Sequence, residues 1–396
     1  MVACNVFVYL GWCPSNVAQT VCLLCGFLVL VFVDWSDDLA RLVEVRDGLN
    51  VSWAKTEVNV YPEDYGQVAS VLGFASENNL SVYPFCMGTN PVGPTVKAKI
   101  GLVFSRLNSV LEVSSENLYV SVQSGCPLTS LSAELDKRGL YLPTDYAGSM
   151  GGWASANAVS AYSTWYGMPR ELVLGAKICT GDGVLVSSGS KTTKFSSGYK
   201  VWKSLIGSLG WLGVFVELYC RVYPKPEVFV SGVGDTSLLN TLLRGGLRPL
   251  CVWVVFEAGG REALGAVFGG YASALKRINT SLRLSEGILK PPTLEGNIVT
   301  VASKKGLESE YAKRALSALK GDVAIAYVGS GVVRLSVKDF SYVEKARRLL
   351  GVPVIVERGD YNGDYWGYHP TVLKKLKQAL DPKGVLSPGK FCLGHP

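Results

Sequence analysis

Residues 148–158 read GSMGGWASANA, inside a run from Pro143 to Pro224 that spaces glycine clusters between apolar segments. The run continues through WYGMPRELVLGAKICTGDG (165–183), SSGYK (196–200) and IGSLGWLGVFVELYCRVYPKP (206–226). Glycines grouped beside Ser and Thr and followed by β-rich stretches mark places where backbone takes positive φ or approaches a bulky ligand. The small residues Ala154–Ala158 let the chain pack against something flat. These features imply a large bound cofactor.

The order of the pieces restricts the cofactor-binding architecture. Gly148–Gly152 begins a buried strand or a helix. Tyr166-Gly167 and the turn Thr180-Gly181-Asp182-Gly183 bracket a strand-like VLGAKIC, and Gly207-x-x-Gly210-x-x-Gly213 precedes the alternating VFVELYCRVYP. A dinucleotide fingerprint of the Rossmann type needs G-x-G-x-x-G between a strand and a helix, with an acidic residue about 20 positions on. That pattern is missing, so a Rossmann reading is disfavoured.

Five ordered motifs resemble the FAD-binding domain of the PCMH-type flavoproteins, the vanillyl-alcohol-oxidase superfamily, and within it the FAD-binding subunit of glycolate oxidase and the FAD-linked D-lactate dehydrogenases. YPFCMGTN (Tyr83–Asn90) stands where that family has P-R-G-G-G-T, and GLVFSRLNSVLE (101–112) is similar to its G-I-V-L-D-L-S-R-L-N-R-I-L-E. Ser149-Met150-Gly151-Gly152 matches T-I-G-G, Gly207–Glu217 matches G-S-E-G-T-L-G-V-I-T-E, and Asp381–Lys390 matches D-P-x-G-I-L-N-P-G-K. The likeness covers residues 55–225 and 370–391.

The resemblance implies an α+β fold: a two-subdomain PCMH-type FAD-binding domain (45–226), an α+β cap (227–369) and a C-terminal segment (370–396) that returns to the FAD domain. The implied cofactor residues are Pro84, Phe85, Cys86, Met87, Gly88, Thr89, Asn90, Ser149, Met150, Gly151, Gly152, Ser155, Gly213, Val214 and Lys390. A pyrophosphate needs several backbone N–H groups pointing inward, and Gly88-Thr89-Asn90 with Ser149–Gly152 can form two walls of such a nest. Ser155 offers a hydroxyl to the flavin or serves as a small packing residue. Phe85-Cys86-Met87 stands where the family has Arg-Gly-Gly, and a left-handed backbone at these residues costs about 1 kcal/mol or more per site. The loop lacks the histidine some relatives use for covalent attachment. Cys86 is either a thiolate link or a buried structural thiol, and the second reading leads to noncovalent FAD.

Composition sets further bounds. A chain of 396 residues defaults to two domains. The net charge of +7 suits an anionic ligand, but Lys and Arg are scattered without a basic stripe, which argues against nucleic acid. Ten cysteines include one C-x-x-C, Cys22 and Cys25, inside an apolar run without a second pair, so zinc or an iron–sulfur centre is disfavoured and most thiols are expected reduced and buried. His369 and His395 are the two histidines of the chain, so no His-rich metal site is expected, unlike relatives that place a metal beside the substrate. Val21–Val33 is apolar but short for a membrane span of about 20 residues, and Arg41 is the first basic residue. Residues 1–33 therefore read as a membrane anchor, a start-site artefact or a loosely packed extension.

Coarse periodicity places strands at 51–61, 80–84, 118–122, 323–327 and 332–337, and helices at 62–78, 127–138, 260–278, 308–319 and from Thr371. With FAD the chemistry is hydride transfer to the flavin with removal of a hydroxyl proton. His369, Tyr368 and Arg358 are the candidates for acid–base work and for pairing with a substrate carboxylate; the alternative is that His369-Pro370 caps the last helix and Trp366 fills an interface. Two functions stand. One is a cytoplasmic, conceivably membrane-peripheral, dehydrogenase of a small 2-hydroxy acid such as glycolate or D-lactate, with a non-oxygen acceptor. The other is a non-catalytic or electron-relay FAD subunit of a larger complex with an iron–sulfur or second flavoprotein subunit.

Overall fold

A computed structural model of the chain describes residues 19–24, 27–32, 35–192, 198–276, 278 and 282–391. Val60, Ile100 and Leu102 alternate with exposed or shielded neighbours on two strands, Ala54–Val60 and Val96–Val103, which pair in parallel. Val82–Phe85 adds a second parallel pairing on the other side, and Val45–Asp47 joins as an antiparallel edge. Between the first two strands in sequence runs the helix Tyr65–Glu77, capped by the Asp64 carboxylate accepting from Gln67 N–H at 2.8 Å. Its Val68, Val71, Leu72 and Ala75 are buried against this sheet. The expected β-α-β entry is therefore present.

A second, antiparallel sheet has the order Leu185–Gly189, Val173–Cys179, Val214–Arg221, Tyr119–Gln123, Val110–Ser114. Val214 and Val216 reach from it into the core of the first sheet, so the two share apolar contacts. Helices Leu128–Asp136 and Met150–Ser155 bury Leu131, Leu135, Met150 and Trp153 against its other side. The helix expected at 127–138 ends on Gly139 at φ 63°, a left-handed stop that glycine takes without strain.

The cap is one eight-stranded antiparallel sheet, ordered Ser285–Glu286, Val228–Gly234, Glu262–Gly270, Cys251–Glu257, Gly321–Tyr327, Val332–Val337, Asn297–Ala302, Val354–Arg358. Helices Glu308–Leu319 and Val343–Leu350 cover one face, burying Ala312, Ala315 and Ala346 on Val299, Ala324 and Leu335. The helix expected over 260–278 is corrected: Glu262–Gly270 is a strand and the helix is confined to Ala272–Leu275. Its Gly and Ala residues read as helical, but Gly265 lies under the Trp253 ring, where a Cβ would come within 2.3 Å, and the strand is paired on both sides.

The C-terminal helix Thr371–Leu380 leads the chain back. Val82 N–H donates to Val385 O and Ser387 N–H to Val82 O, both at 2.8 Å, so the tail lies beside the first sheet. Of the cysteines, Cys86 is half-buried and Cys126, Cys179, Cys220 and Cys251 are buried, all as free thiols. In the N-terminal stretch, Gln19–Leu24 and Phe27–Phe32 pair as antiparallel strands; the remainder of residues 1–34, with His395 and Cys392, lies outside the described residues. Among the described residues no helix is long and apolar enough to cross a membrane.

Candidate functional site

Where the two sheets of the first lobe meet the tail lies a cleft with a cavity volume of about 130 Å³. The loop that follows Val82–Phe85 forms one wall, the start of the helix Met150–Ser155 a second, and Leu209, Gly210, Val214 and Phe215 a third. Ser149 caps that helix, its hydroxyl accepting from Gly152 N–H at 3.3 Å.

Glycine is required at two points of the rim. Gly88 has φ 62° and its added Cβ would come within 2.3 Å of the Trp53 ring; at Gly210 (φ 74°) a Cβ would meet Pro84 at 2.5 Å. The cost foreseen for Phe85-Cys86-Met87 is not incurred, because none of the three takes positive φ and the left-handed position falls on Gly88. Phe85 turns its ring into an aromatic cluster with Trp53 (5.5 Å, edge-on) and Tyr83 (5.8 Å). The Cys86 thiol lines the cleft and donates to Gly125 O at 3.5 Å; burial pushes its pKa up, against a hydrogen bond with Ser149 that lowers it.

Several donors at the cleft have no protein acceptor. The backbone N–H groups of Met87, Gly88, Thr89 and Asn90 are unpaired within the described residues, while the Thr89 and Asn90 side chains anchor the loop to Ala147 O. Ser124 Oγ is buried at the cleft without a partner. Lys390, 3% exposed, donates to Val92 O at 2.6 Å and lies over the Tyr83 ring at 5.5 Å, and no carboxylate among the described residues pairs with it. Burial alone lowers its pKa to about 7. A nest of free N–H groups, an orphaned hydroxyl and an uncompensated amine are the donor set that a pyrophosphate satisfies. The residues present fit FAD.

The cleft gathers Pro84–Asn90, Ser149, Gly151, Gly152, Ser155, Val214 and Lys390 from the expected set. It leaves out Met150, fully buried in the core beneath the helix, and Gly213, whose Cβ position faces Cys179 O and Leu205. The expected catalytic residues are not at the cleft either. His369 is held by Asp364 at 2.8 Å, Tyr368 is 60% exposed, and Arg358 donates to Leu294 O and Gly296 O. Arg358 ends the last cap strand and Tyr368 and His369 follow it, past Trp366, which stacks on Phe391 at 4.3 Å and covers Gly93. The chain also brings Trp53, Ser124, Tyr146 and Leu209 to the cleft, which the motifs did not name. Ser124-Gly125 directly after the strand Tyr119–Gln123 was the available signal; Trp53 and Tyr146 had none.

The family described as FAD binding domain matches residues 56–189, so the chain carries an FAD binding domain and FAD is its cofactor. The chain is 28% identical over 193 residues to "Glycolate oxidase subunit GlcD" of Bacillus subtilis, covering 47% of this chain and 41% of that protein. It is 33% identical to "D-lactate dehydrogenase" of Anaerostipes hadrus, over 45% of this chain and 38% of the other. It is 25% identical to "D-2-hydroxyglutarate dehydrogenase, mitochondrial" of Bos taurus, over 91% of this chain and 84% of the other. The matched span thus covers less than half the length of the first two relatives. Among solved structures, "Chitooligosaccharide oxidase" aligns with a TM-score of 0.64 at 13% identity, over 89% of this chain and 97% of the other. "Alkyldihydroxyacetonephosphate synthase" aligns at 0.59 and 15%, over 84% and 77%. These two show the fold alone.

Proposed function

We propose that this chain is an FAD-dependent dehydrogenase that oxidises a small 2-hydroxy acid and passes the electrons to an acceptor other than oxygen. The observation that carries the reading is the cleft of unpaired donors closed by Lys390, together with relatives named for glycolate, D-lactate and D-2-hydroxyglutarate. Bound FAD supplies a two-electron, hydride-accepting centre. The protein's share is binding, orientation and proton handling. The N–H groups of residues 87–90 and Ser124 Oγ hold phosphate oxygens, and Trp53, Tyr83 and Phe85 supply apolar wall. The buried amine of Lys390 takes up a proton as it pairs with a phosphate oxygen.

A second reading, an FAD-binding or electron-relay subunit of a glycolate-oxidase-like complex, is favoured by one observation: among the described residues no imidazole lines the cleft. The purified protein, loaded with FAD and kept free of oxygen, is titrated with glycolate, D-lactate and D-2-hydroxyglutarate. Loss of the flavin's visible absorption with one acid is the expected result. A fully loaded flavin that none of the acids reduces overturns the dehydrogenase reading in favour of the relay.

A further inference from the structure

The two faces of the cap sheet differ sharply. The face under helices Glu308–Leu319 and Val343–Leu350 is apolar, mainly aliphatic with Phe256 and Phe268 among it. The inner face meets the first lobe and begins as an aromatic layer, with Trp253, Ile298, Ile325 and Tyr327 on Tyr141, Tyr162 and Tyr166. At one end of the same face the side chains turn polar. Arg334 stands opposite Thr300 on one neighbouring strand and Ile325 on the other. A β-bulge after Ile298 breaks the register of Val354–Arg358, and Glu357 reaches the same group.

Arg334 donates through Nε to Glu357 Oε2 at 2.9 Å and through Nη2 to Oε1, and Thr300 Oγ1 donates to Oε2 at 2.6 Å. This holds the Nε side of the guanidinium and leaves its Nη1 N–H groups outside the Glu357 pair. The group adjoins the cofactor cleft. Gly93 N–H donates to Glu357 O at 2.9 Å, two residues beyond the cleft-lining Pro91, and the Glu357 charge reaches the cleft-lining Tyr146. Asp145, beside Tyr146, acts on Tyr162, Tyr327 and Cys251 across the same layer. Arg358 is turned away to the carbonyls of Leu294 and Gly296. Among the described residues this patch pairs one cation, Arg334, with Glu357, and the Asp145 charge acts on the adjoining Tyr327.

We propose that the guanidinium of Arg334 anchors the substrate carboxylate, and that Glu357 and Asp145 confine the substrate to monocarboxylate 2-hydroxy acids. The proposal rests on the dehydrogenase reading. A guanidinium fixed along one side presents its remaining N–H pair in the fork geometry that matches a carboxylate. A second carboxylate on the substrate would meet two like charges with no further cation to pair with.

The test uses the FAD-loaded full chain, with glycolate, D-lactate and D-2-hydroxyglutarate as probes and flavin reduction without oxygen as readout. The wild type is expected to favour a monocarboxylate over D-2-hydroxyglutarate by roughly tenfold or more in reduction efficiency. Arg334→Lys keeps its flavin but raises the concentration for half-maximal reduction by roughly 10- to 100-fold, as loss of a charged hydrogen bond does. Glu357→Gln narrows the preference against the dicarboxylate, which a purely structural role would leave in place. A wild type that favours the dicarboxylate, or Arg334→Lys with full flavin and unchanged half-saturation, overturns the proposal alone. If Arg334→Lys does not fold, Glu357→Gln decides: an unchanged preference overturns the assignment. A wild-type flavin that none of the acids reduces defeats the dehydrogenase reading and the proposal with it.

Discussion

Lys390 shows how far one side chain couples cofactor binding to stability. Its amine is buried on Val92 O and the Tyr83 ring with no counter-ion among the described residues, and its pKa is lowered to about 7 from 10.5. The unfolded chain keeps this lysine charged up to about pH 10.5, so between the two values the unfolded state binds more protons and stability rises with pH. In FAD-free protein, Lys390→Met is expected to melt higher than wild type at pH 8 and to lose this part of the rise between pH 7 and 10. The same variant should bind FAD roughly 10- to 100-fold more weakly, the worth of a charge-assisted hydrogen bond to phosphate. Melting curves of the FAD-free proteins and FAD titration by flavin fluorescence check the two effects; a variant no more stable than wild type would show that the amine is not held neutral. Lys390 was legible in the sequence because it closes a ten-residue motif, as Gly88 and Ser149 were because small residues flag a backbone approach. Ser124, Trp53 and Tyr146 come to the cleft from other elements, and no local pattern marks a residue whose role is set by what folds over it. His369 lies outside the cleft-lining residues, with its ring held by Asp364 at 2.8 Å, and no local pattern in the sequence fixes that distance from the cleft.

At the scale of elements, the second sheet is tied together by one buried carboxylate. Glu217, 4% exposed on Val214–Arg221, accepts from Lys177 Nζ at 2.8 Å, Ser121 Oγ at 2.7 Å and Tyr65 OH at 3.1 Å, joining three adjacent strands and the first helix. Burial pushes its pKa up, but the hydrogen bonds from Lys177 and Ser121 and the Lys177 charge outweigh it, and the net shift is downward. A lowered carboxylate contributes stability above its unfolded pKa near 4.5 and loses it as the pH falls below. Glu217→Ala should cost about 2–3 kcal/mol at pH 7, the low end for a buried pair because Lys177 is 39% exposed and can turn to water. Urea unfolding at pH 7 and pH 3.5 checks this, with the gap between variant and wild type shrinking at the lower pH. Three strands of this sheet, Val173–Cys179, Val214–Arg221 and Tyr119–Gln123, were readable from apolar patterning while Val110–Ser114 and Leu185–Gly189 were not, and Glu262–Gly270 in the cap was missed because Gly265 is there for the Trp253 ring and not for the backbone.

At the scale of the molecule, the cleft is built from both ends of the chain, with the cap strands 228–358 inserted between them. The motif Asp381–Lys390 is the clasp. Asp381 is buried and accepts from Val385 N–H at 3.0 Å and Leu386 N–H at 2.8 Å, while Lys377 pairs with it and donates to Trp211 O at 2.6 Å. Leu386, fully buried, fills the core of the first sheet, and the backbone beside it bonds to Val82 on both sides. The glycine and proline of this motif give the turn, and its Asp ties it; the sequence alone shows the pattern but not that its partner strand is 300 residues away. A chain ending at Pro370 should therefore keep the cap, whose described helices and eight strands are complete before that point, and lose FAD, because Lys390 and the support of the Val82–Asn90 segment go together. Flavin fluorescence in an FAD titration, with circular dichroism as the control for folding, distinguishes this from general collapse. Adding a peptide of residues 371–391 to the truncated chain should restore flavin quenching, since its contacts with Val82, Trp211 and Val92 need no covalent link to the cap. Restoration would establish that the tail completes a cofactor site already shaped by the first lobe. A truncated chain that binds FAD as tightly as the full one would remove Lys390 from the site and leave the loop 87–90 and Ser124 as its sole donors.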